Sequence, residues 1–223
     1  MLEEIAACLR ESGLILRGGL HFARGEERPS GPGGEPAGSV VLVGNAGADY
    51  WRHFNCWRAR QPADLADPLD CWSREVIGAV AQKAGARVLM PNDRPFAPFQ
   101  QWVMRAEGLK SSPLGLLIHP RYGLWHAFRG ALLFDEEIAL PNVERSNHPC
   151  ALCDGKPCLK ACPVGAHSEA GFAYAACVSH VRGADGQTCR EGGCIARNAC
   201  PVGERYRYPA PVQAFHQKAF AGF

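Results

Sequence analysis

The sequence predicts an α+β fold, in which a mixed or antiparallel sheet is flanked by helices, followed by a small cysteine-rich module. Short apolar runs of strand length alternate with amphipathic helical patterns as far as Phe134. Eight of the eleven cysteines then fall between Cys150 and Cys200. With 223 residues, of which 47% are hydrophobic, the chain has the size of one medium domain plus a small one. We expect these domains at 1–145 and 146–223.

The first five segments follow from hydrophobic periodicity and from the positions of glycine and proline. Apolar residues recur at helical spacing before residue 12, and a second helical pattern carries Trp51 and Phe54. A run of valine and leucine that ends at Gly44 is typical of a buried strand. Five glycines and three prolines precede it, which indicates a surface loop. We therefore predict a helix at 2–11, a strand or strand pair at 14–22, a loop at 25–38, a strand at 39–43 and a helix at 47–60.

The clearest helix begins at Pro68. Asp67 is a favourable N-cap residue, and a proline at the first helical position loses no hydrogen bond. Leu69, Trp72 and later apolar residues form one stripe, which Gly85 ends. Beyond it we predict a strand at 87–90, a helix at 96–109, strands at 114–118 and 125–134, and a linker at 141–149.

The clustered cysteines form two unequal copies of one pattern. The first copy reads Cys150-x2-Cys153-x4-Cys158-x3-Cys162-Pro163, and the second reads Cys177-x11-Cys189-x4-Cys194-x5-Cys200-Pro201. Runs of cysteine that end in Cys-Pro hold cubane [4Fe–4S] clusters in bacterial ferredoxins, where the cysteine before proline ligates the other cluster. If that crossed pairing holds here, one cluster takes Cys150, Cys153, Cys158 and Cys200, and the other takes Cys162, Cys177, Cys189 and Cys194.

Other uses of these cysteines stay open. A disulfide framework is typical of short secreted chains, whereas this chain is long and holds an odd number of cysteines. Four-cysteine zinc sites usually combine two separated pairs, whereas the first copy packs its four cysteines closely. The x4 and x5 spacings depart from the ferredoxin run and Cys177 stands apart, so a single cluster with a buried Cys177 thiol is the alternative to two. We expect Cys8, Cys56 and Cys71 in the core.

Charge and hydropathy limit the classes of partner that the sequence predicts. The formal net charge of +2 gives no electrostatic argument for nucleic acid or a membrane surface. No apolar run approaches the ~18 residues that span a bilayer. The first ten residues lack the basic and apolar regions of a signal peptide. We expect a cytoplasmic protein whose partners include neither a membrane nor nucleic acid.

One segment outside the cysteines concentrates reactive side chains. Between two predicted strands, residues 119–125 hold His119, Arg121, Tyr122 and Trp125 around a proline and a glycine. Loops at the edge of a rigid sheet often carry binding sites. A tight turn whose aromatic rings cap the core would have the same composition, so from the residues alone both interpretations stand.

From Asp67 to about residue 149 the chain resembles the cobalamin-processing CblC family, which has a nitroreductase-related fold. The resemblance is carried by Asp67-Pro68-Leu69-Asp70, by Ile118-His119-Pro120-Arg121-Tyr122-Gly123 followed by Trp125, and by Phe128-Arg129-Gly130. The predicted strand at 39–43 and the helix with Trp51 and Phe54 are also similar. The cysteine-rich part resembles the two-cluster module of epoxyqueuosine reductases, which follows a cobalamin-binding domain of this fold and also carries a lone cysteine between its runs. Reductive dehalogenases share this pairing of domains.

The resemblance implies a nitroreductase-like or CblC-like sheet flanked by helices, a ferredoxin-like two-cluster module, and cobalamin bound base-off, with its nucleotide tail displaced from cobalt. It implies corrin contacts at His119, Arg121, Tyr122, Gly123 and Trp125. CblC proteins that use glutathione need an arginine-rich thiol-binding region at the place that the cysteine module takes here. We therefore expect the clusters, reduced by an unknown electron donor, to replace glutathione.

The leading hypothesis is an iron–sulfur oxidoreductase that binds cobalamin, reduces cobalt through two [4Fe–4S] clusters and removes the upper axial ligand by decyanation or dealkylation. One alternative is a cobalamin-dependent reductase of an organic substrate, related to epoxyqueuosine reductase, for which Tyr122 is the nearest candidate acid. Another is a plain two-cluster ferredoxin that carries electrons. The last is an interaction domain stapled by zinc.

Overall fold

The computed structural model describes residues 1–140, 147–168 and 170–223, so residues 141–146 of the predicted linker lie outside the described residues. The chain divides into two compact units. The first unit comprises 1–108 and 127–145, and the second unit comprises 109–126 and 146–223. The segment at 109–126 therefore lies in the second unit. The domain ranges expected from the sequence, 1–145 and 146–223, stay a prediction.

The first unit is a four-stranded sheet with helices. The strand order is β1 (Ile15–His21), β2 (Ser39–Ala46), β6 (His126–Phe134), β3 (Arg87–Leu89), and both β1 with β2 and β3 with β6 pair antiparallel. The predicted fold class, α+β with a sheet flanked by helices, is confirmed at this level. In chain order the elements are α1 (Leu2–Arg10), β1 (Ile15–His21), β2 (Ser39–Ala46), α2 (Tyr50–Arg58), α3 (Pro68–Ala84), β3 (Arg87–Leu89), α4 (Phe99–Glu107) and, after two strands of the second unit, β6 (His126–Phe134).

The second of these strands, β2, is the buried centre of the sheet, and all its residues except the last are buried. Gly44 permits the close approach of β2 to β6. A Cβ atom on Gly44 would stand only 2.1 Å from the carbonyl oxygen of Ala127 on β6. Helix α4 is tied to β1 by a buried ion pair in which Arg17 Nε lies 2.7 Å from Glu107 Oε1. The carboxylate also accepts the backbone N–H of Gly18, so both charges are well satisfied.

Helix α3 runs from Pro68 to Ala84, as the proline and Gly85 predicted. Asp67 stands at its N-cap position with left-handed backbone, and its side chain makes no capping hydrogen bond, so it serves the turn rather than the helix end. The expected core positions of Cys56 and Cys71 were wrong, because both side chains are exposed on helices α2 and α3.

The second unit is built of short elements. Its hairpin is β4 (Lys110–Ser111) with β5 (Leu117–Ile118), so the strand predicted at 114–118 is shortened by a tight turn in which Gly115 has a φ of 77°. The remaining elements are α5 (Pro157–Lys160), β7 (His167–Ser168), β8 (Gly171–Phe172), α6 (Tyr174–Arg182), α7 (Gln187–Gly192), α8 (Ile195–Asn198) and α9 (Ala210–Ala221), with 3₁₀ turns at Pro149–Leu152, Ala184–Gly186 and Glu204–Tyr206.

Cysteine side chains take part in both small cores of the second unit. One core joins Leu114, Ile118 and Leu124 to Cys158 and Cys200. The other joins Val181, Cys189 and Ala221. No described helix is both long enough and apolar enough to cross a membrane.

Candidate functional site

Four thiols from both sequence copies form a first quartet. Burial raises the pKa of the Cys150 thiol, and the nearby charges of Cys200, Cys158 and Cys153 raise it further. Burial likewise raises the pKa values of Cys158 and Cys200, and Cys153 acts on both. Such mutual effects require the four sulfur atoms to share one poorly hydrated region. Cys200 therefore lies with three thiols that precede it by at least 42 positions in the chain.

The first quartet lines one cavity. The cavity is small and partly open to solvent. All four thiols line it, and apart from Ser112 and Lys156 its other walls are apolar. Low polarity around a cluster strengthens the electrostatic effect of each nearby dipole on its potential. The apolar lining residues are Pro113, Ile118, Leu124, Pro157, Pro201 and Val202.

The other four thiols form a second quartet. Burial raises the pKa of Cys177 to about 11, with further contributions from Cys194, Cys162 and Cys189. Burial also raises the pKa values of Cys189 and Cys194, and Cys162 acts on each of them. The backbone N–H of Ala166 donates to Cys162 Sγ at 3.3 Å. N–H donors to sulfur stabilise a thiolate, which is the form that ligates a metal.

The two quartets have the membership that crossed ferredoxin pairing requires. Among residues 1–140, 147–168 and 170–223, no histidine, cysteine or carboxylate side chains are grouped as ligands of a single metal ion. Thiolates around one zinc ion lie about 3.8 Å apart, because four Zn–S bonds of about 2.3 Å point to the corners of a tetrahedron. A cubane sets a core of irons and sulfides between its thiolates, which spreads them farther. Four thiols per quartet is the donor set of a [4Fe–4S] cluster. That these cysteines are ligands stays a prediction.

Local sequence explains how the first quartet is assembled. Lys156 adopts a φ of 42° just before α5, which begins at Pro157 and carries Cys158. The ammonium group of Lys156 donates to the carbonyl of Cys153 at 3.2 Å and also to that of Cys150. This lysine therefore ties the first two cysteines of the run to the helix that bears the third.

The segment at 119–125 is a tight, self-bonded turn. His119 and Gly123 exchange two backbone hydrogen bonds of 2.9 and 2.8 Å. His119 Nδ1 accepts the backbone N–H groups of Arg121 and Tyr122 at 3.0 and 3.2 Å, and its ring stacks on that of Tyr122 with the centroids 4.2 Å apart. The turn therefore holds a stacked imidazole and phenol in a fixed orientation.

This turn interlocks with the Cys-Pro-Val-Gly turn that ends in Gly203. A Cβ atom on Gly123 would stand 1.8 Å from the carbonyl oxygen of Val202. A Cβ atom on Gly203 would stand 2.3 Å from the carbonyl carbon of Tyr122. Both glycines also have positive φ, of 59° and 71°. The two backbones therefore touch directly, three residues after Cys200, and neither position tolerates a side chain.

Side chains reinforce the interlock on both faces. Arg197 on α8 donates to the carbonyl of Leu124 and stacks over the rings of Trp125 and Tyr208, at 4.5 and 5.0 Å from their centroids. Such placement combines a hydrogen bond with two cation–π contacts. Trp125 is 0% exposed, so it belongs to the interior of the second unit.

On the outer face, the phenol oxygen of Tyr206 accepts from Arg121 Nε at 2.8 Å and from Arg205 Nη2 at 2.9 Å. The rings of Tyr206 and Tyr122 meet edge to face at 5.0 Å. Partial desolvation raises the pKa of Tyr206, but the two guanidiniums outweigh it, and the pKa lies below its ordinary value.

The five predicted corrin contacts therefore lie in one turn with different exposure. Arg121 is exposed, His119 and Tyr122 are half-buried, and Gly123 and Trp125 are buried. A stacked pair of flat rings beside guanidinium donors suits a corrin, which has an apolar face and amides at its rim. Gly123 and Trp125 support this pair from within. No sequence pattern indicates the roles of Arg197, Tyr206 and Tyr208, because these roles are set by contacts between distant parts of the chain.

Among the described carboxyl groups of the first unit whose pKa is shifted, Asp70 is the one whose pKa is raised. Asp70 is exposed in the first turn of α3, but partial desolvation raises its pKa, while the guanidinium of Arg129 opposes the rise. Arg129 Nε donates to the buried Asn45 side chain at 3.0 Å, and its guanidinium lies over the ring of Tyr50. The sequence places Asp70 only at the start of a helix, since its partial desolvation depends on the tertiary fold.

Comparison with solved structures identifies the fold. The chain aligns over 95% of its length with 68% of an epoxyqueuosine reductase, with a TM-score of 0.54 and 14% identity. It aligns over 98% of its length with 92% of the C. elegans B12-trafficking protein CblC, with a TM-score of 0.54 and 12% identity. Epoxyqueuosine reductase from Bacillus subtilis aligns over 93% of the chain and 67% of its own, with a TM-score of 0.50 and 16% identity.

No protein-family model matches the sequence, and no curated protein is significantly similar to it. At these identities the likeness establishes the fold alone. The chain has the mixed α/β fold of these proteins, a sheet flanked by helices, and the fold part of the resemblance is confirmed at that level.

Proposed function

We propose that the chain is an iron–sulfur oxidoreductase that binds cobalamin and reduces it to prepare or remove its upper axial ligand. The observation that carries this proposal is the pair of thiol quartets with crossed membership. The first quartet shares a core with Ile118 and Leu124, which flank the turn at 119–123. A single layer of apolar side chains therefore separates the turn from the first quartet, where the proposed cluster would hold the electron.

Within this proposal each quartet would hold one [4Fe–4S] cluster, which supplies one electron at a time. Cobalamin would supply the cobalt chemistry of ligand exchange and bond cleavage. The residues of the turn bind and orient. The stacked rings of His119 and Tyr122 would contact the corrin face, and Arg121 would donate to the carbonyl oxygens of its rim amides. The apolar lining of the first quartet's cavity limits water around the path of the electron.

An anaerobic absorption titration tests the proposal. Iron-reconstituted protein is titrated with cob(II)alamin, and the corrin band is expected to shift to its base-off form and to saturate at one cobalamin per chain. Tyr122→Ala should weaken this binding about tenfold, since it removes one face of the stacked pair. Tyr174→Ala, at an exposed tyrosine far along the module, is the matched control and should bind normally. Protein with eight irons and no corrin shift would contradict the proposal.

A second candidate function is favoured by Asp70. A carboxyl group whose pKa is raised by burial is suited to donate a proton, and a cobalamin-dependent reductase of an organic substrate needs such an acid. If this function is correct, Asp70→Asn abolishes turnover of the organic substrate, tested with epoxyqueuosine-containing RNA and with an organohalide. It leaves cobalamin binding unchanged. If neither substrate turns over in the wild type, cobalamin processing stands alone.

Metal analysis separates the remaining alternatives. Zinc in place of iron would establish a structural zinc module. Iron with reversible cluster reduction and no small-molecule ligand would establish an electron carrier. Both outcomes are distinct from the base-off shift that we expect.

A further inference from the structure

Three aromatic side chains form an exposed patch on the second unit. Phe172, Tyr174 and Phe220 are 43%, 56% and 36% exposed. Their ring centroids lie 5.5 to 6.4 Å from one another. We call these three residues the aromatic patch. Single exposed apolar residues are common on protein surfaces, whereas contiguous exposed aromatic groups mark interaction sites.

The chain around the aromatic patch is uncharged and open. Every residue from 170 to 176, with the sequence Ala-Gly-Phe-Ala-Tyr-Ala-Ala, is exposed and none carries a charge. The ring of His167 stacks on Phe172 with the centroids 4.7 Å apart, so the hairpin of β7 and β8 holds that phenylalanine in place. The aromatic patch is therefore a preformed apolar surface. Its exposure to water is unfavourable, and a partner that buried it would gain binding free energy.

The aromatic patch adjoins the second quartet. Tyr174 and Cys177 are three residues apart on α6, which places their side chains on one face of that helix. The hairpin that bears Phe172 begins directly after Ala166, whose N–H donates to Cys162 Sγ. Cys177 is therefore connected to the patch through one turn of α6. Cys162 is connected to it through the hydrogen bond from Ala166, the residue before the hairpin.

The two helices that carry Tyr174 and Phe220 have basic but no acidic side chains, whereas Glu169 lies in the sequence between β7 and β8. Helices α6 and α9 contain no acidic residue, and they carry Arg182 and Lys218. Arg182 also donates to the carbonyl of Ala221 at 2.6 Å, which ties α6 to the end of α9. The second unit as a whole has ten lysines and arginines against five acidic residues, whereas the first unit has fourteen against seventeen. An acidic surface would complement this region.

We propose that the aromatic patch is the docking surface for a small acidic protein that carries single electrons, of the flavin or iron–sulfur class. The inference rests on the proposed function, because it requires clusters at the quartets. At each encounter the donor would be oxidised by one electron and a cluster held by the second quartet would be reduced by one, with no bond broken. The electron then passes to the first quartet, which lies beneath the turn at 119–123. The aromatic core supplies contact area and the basic rim supplies steering.

The test measures electron entry with a defined probe. A purified acidic flavodoxin, reduced to its hydroquinone, is mixed with iron-loaded protein in a stopped-flow instrument, and cluster bleaching is followed against flavodoxin concentration. Tyr174→Ser should lower the second-order rate constant about tenfold, as loss of a central aromatic contact does at protein interfaces. Lys218→Glu should lower it at low salt and flatten its dependence on ionic strength.

Two controls make the result specific. Reduction by dithionite, a small molecule that needs no docking surface, should proceed at the wild-type rate in both variants. Leu152→Ser removes an apolar side chain that is 80% exposed beside the first quartet, and it should leave the flavodoxin rate unchanged. If Leu152→Ser slows reduction and Tyr174→Ser does not, the donor docks at the first quartet and the proposal is wrong.

Two further outcomes are distinguishable. A wild-type dimer that Tyr174→Ser dissociates in sedimentation would show that a second copy of the chain covers the patch, which overturns the proposal. Failure of the protein to take up iron during reconstitution would instead contradict the proposed function. In that case calorimetric binding of oxidised flavodoxin to wild type and Tyr174→Ser still decides the docking surface, since binding needs no cluster.

Discussion

The two Cys-Pro-Val-Gly turns share their sequence and differ in their surroundings. Around Gly165 no atom of the described residues, apart from its two chain neighbours, lies within 4 Å of the place where a Cβ would stand, whereas around Gly203 the backbone of Tyr122 lies 2.3 Å from it. Cys200 is buried against Ile118 and Leu124 in the first quartet. Cys162 is half-buried, and its Sγ atom accepts the backbone N–H of Ala166, which directly precedes the β7–β8 hairpin. One sequence motif therefore serves an inner role beside the turn at 119–125 and an outer role at the surface.

This difference teaches that the motif specifies ligand spacing, while the contacts beyond the motif specify what each quartet faces. In our account the outer quartet receives the electron and the inner quartet delivers it. The following variants break or sharpen that comparison.

The largest effect is expected from one methyl group placed on each turn. Gly203→Ala should destabilise the protein by about 3 kcal/mol or more, because the added carbon overlaps backbone that cannot move aside. Gly165→Ala should cost only about 1 kcal/mol, the penalty for a left-handed alanine in open space. The measurement is the midpoint of anaerobic thermal unfolding of iron-loaded protein, together with iron retained per chain. Equal shifts in the two variants would show that the turns are equivalent.

A smaller effect is expected at the basic residue between the last two cysteines of each copy. Arg197→Met should cost about 2 kcal/mol, since it leaves the carbonyl of Leu124 without its donor and removes two cation–π contacts. Lys160→Met is the matched control at an exposed site, and its effect should stay within about 0.5 kcal/mol. The same unfolding measurement applies. A change in stability at Lys160 as large as that at Arg197 would show that the contacts of Arg197 with the turn at 119–125 do not specifically stabilise the protein.

The smallest effect concerns the phenol of Tyr206, for which the first copy has no counterpart. Its pKa is lowered in the folded protein by Arg121 and Arg205. A lowered phenol pKa contributes stability that is present above the unfolded value of about 10 and is lost as pH falls through the folded value. Tyr206→Phe removes the ionisable oxygen, so this pH-dependent part of the stability should be absent in the variant. The tyrosinate absorbance near 295 nm should rise below pH 10 in wild type, and this early rise should disappear in Tyr206→Phe. An unchanged titration would remove the two-arginine contact from the account.

The sequence specifies some elements well because their determinants are local. Helix α3 begins and ends where Pro68 and Gly85 require. The strand expected at 114–118 was too long, because Gly115 makes a turn that the apolar residues around it conceal. The exposure of Cys56 and Cys71 was missed, since single apolar residues do not reveal which helix face meets the core.

The candidate site divides in the same way. The spacing of the eight cysteines indicates two groups, because ligand spacing is a local property, and the crossed pairing follows only from the likeness of the Cys-Pro runs to those of ferredoxins. The contact of Gly203 with Tyr122 joins residues about eighty positions apart, and neither segment contains a sequence pattern that predicts this contact. The aromatic patch was missed for the same reason, since Phe220 meets Phe172 and Tyr174 only after α9 packs on α6.

The crossed membership of the two quartets is the central claim, and serine substitution at the two cysteines before proline tests it most directly. Each variant is reconstituted with iron and sulfide, reduced, and studied by electron paramagnetic resonance beside reference variants of undisputed membership. We expect Cys200→Ser to lose the same cluster signal as Cys158→Ser, and Cys162→Ser to lose the same signal as Cys189→Ser. The reverse pairing, in which Cys162→Ser matches Cys158→Ser, would contradict the account.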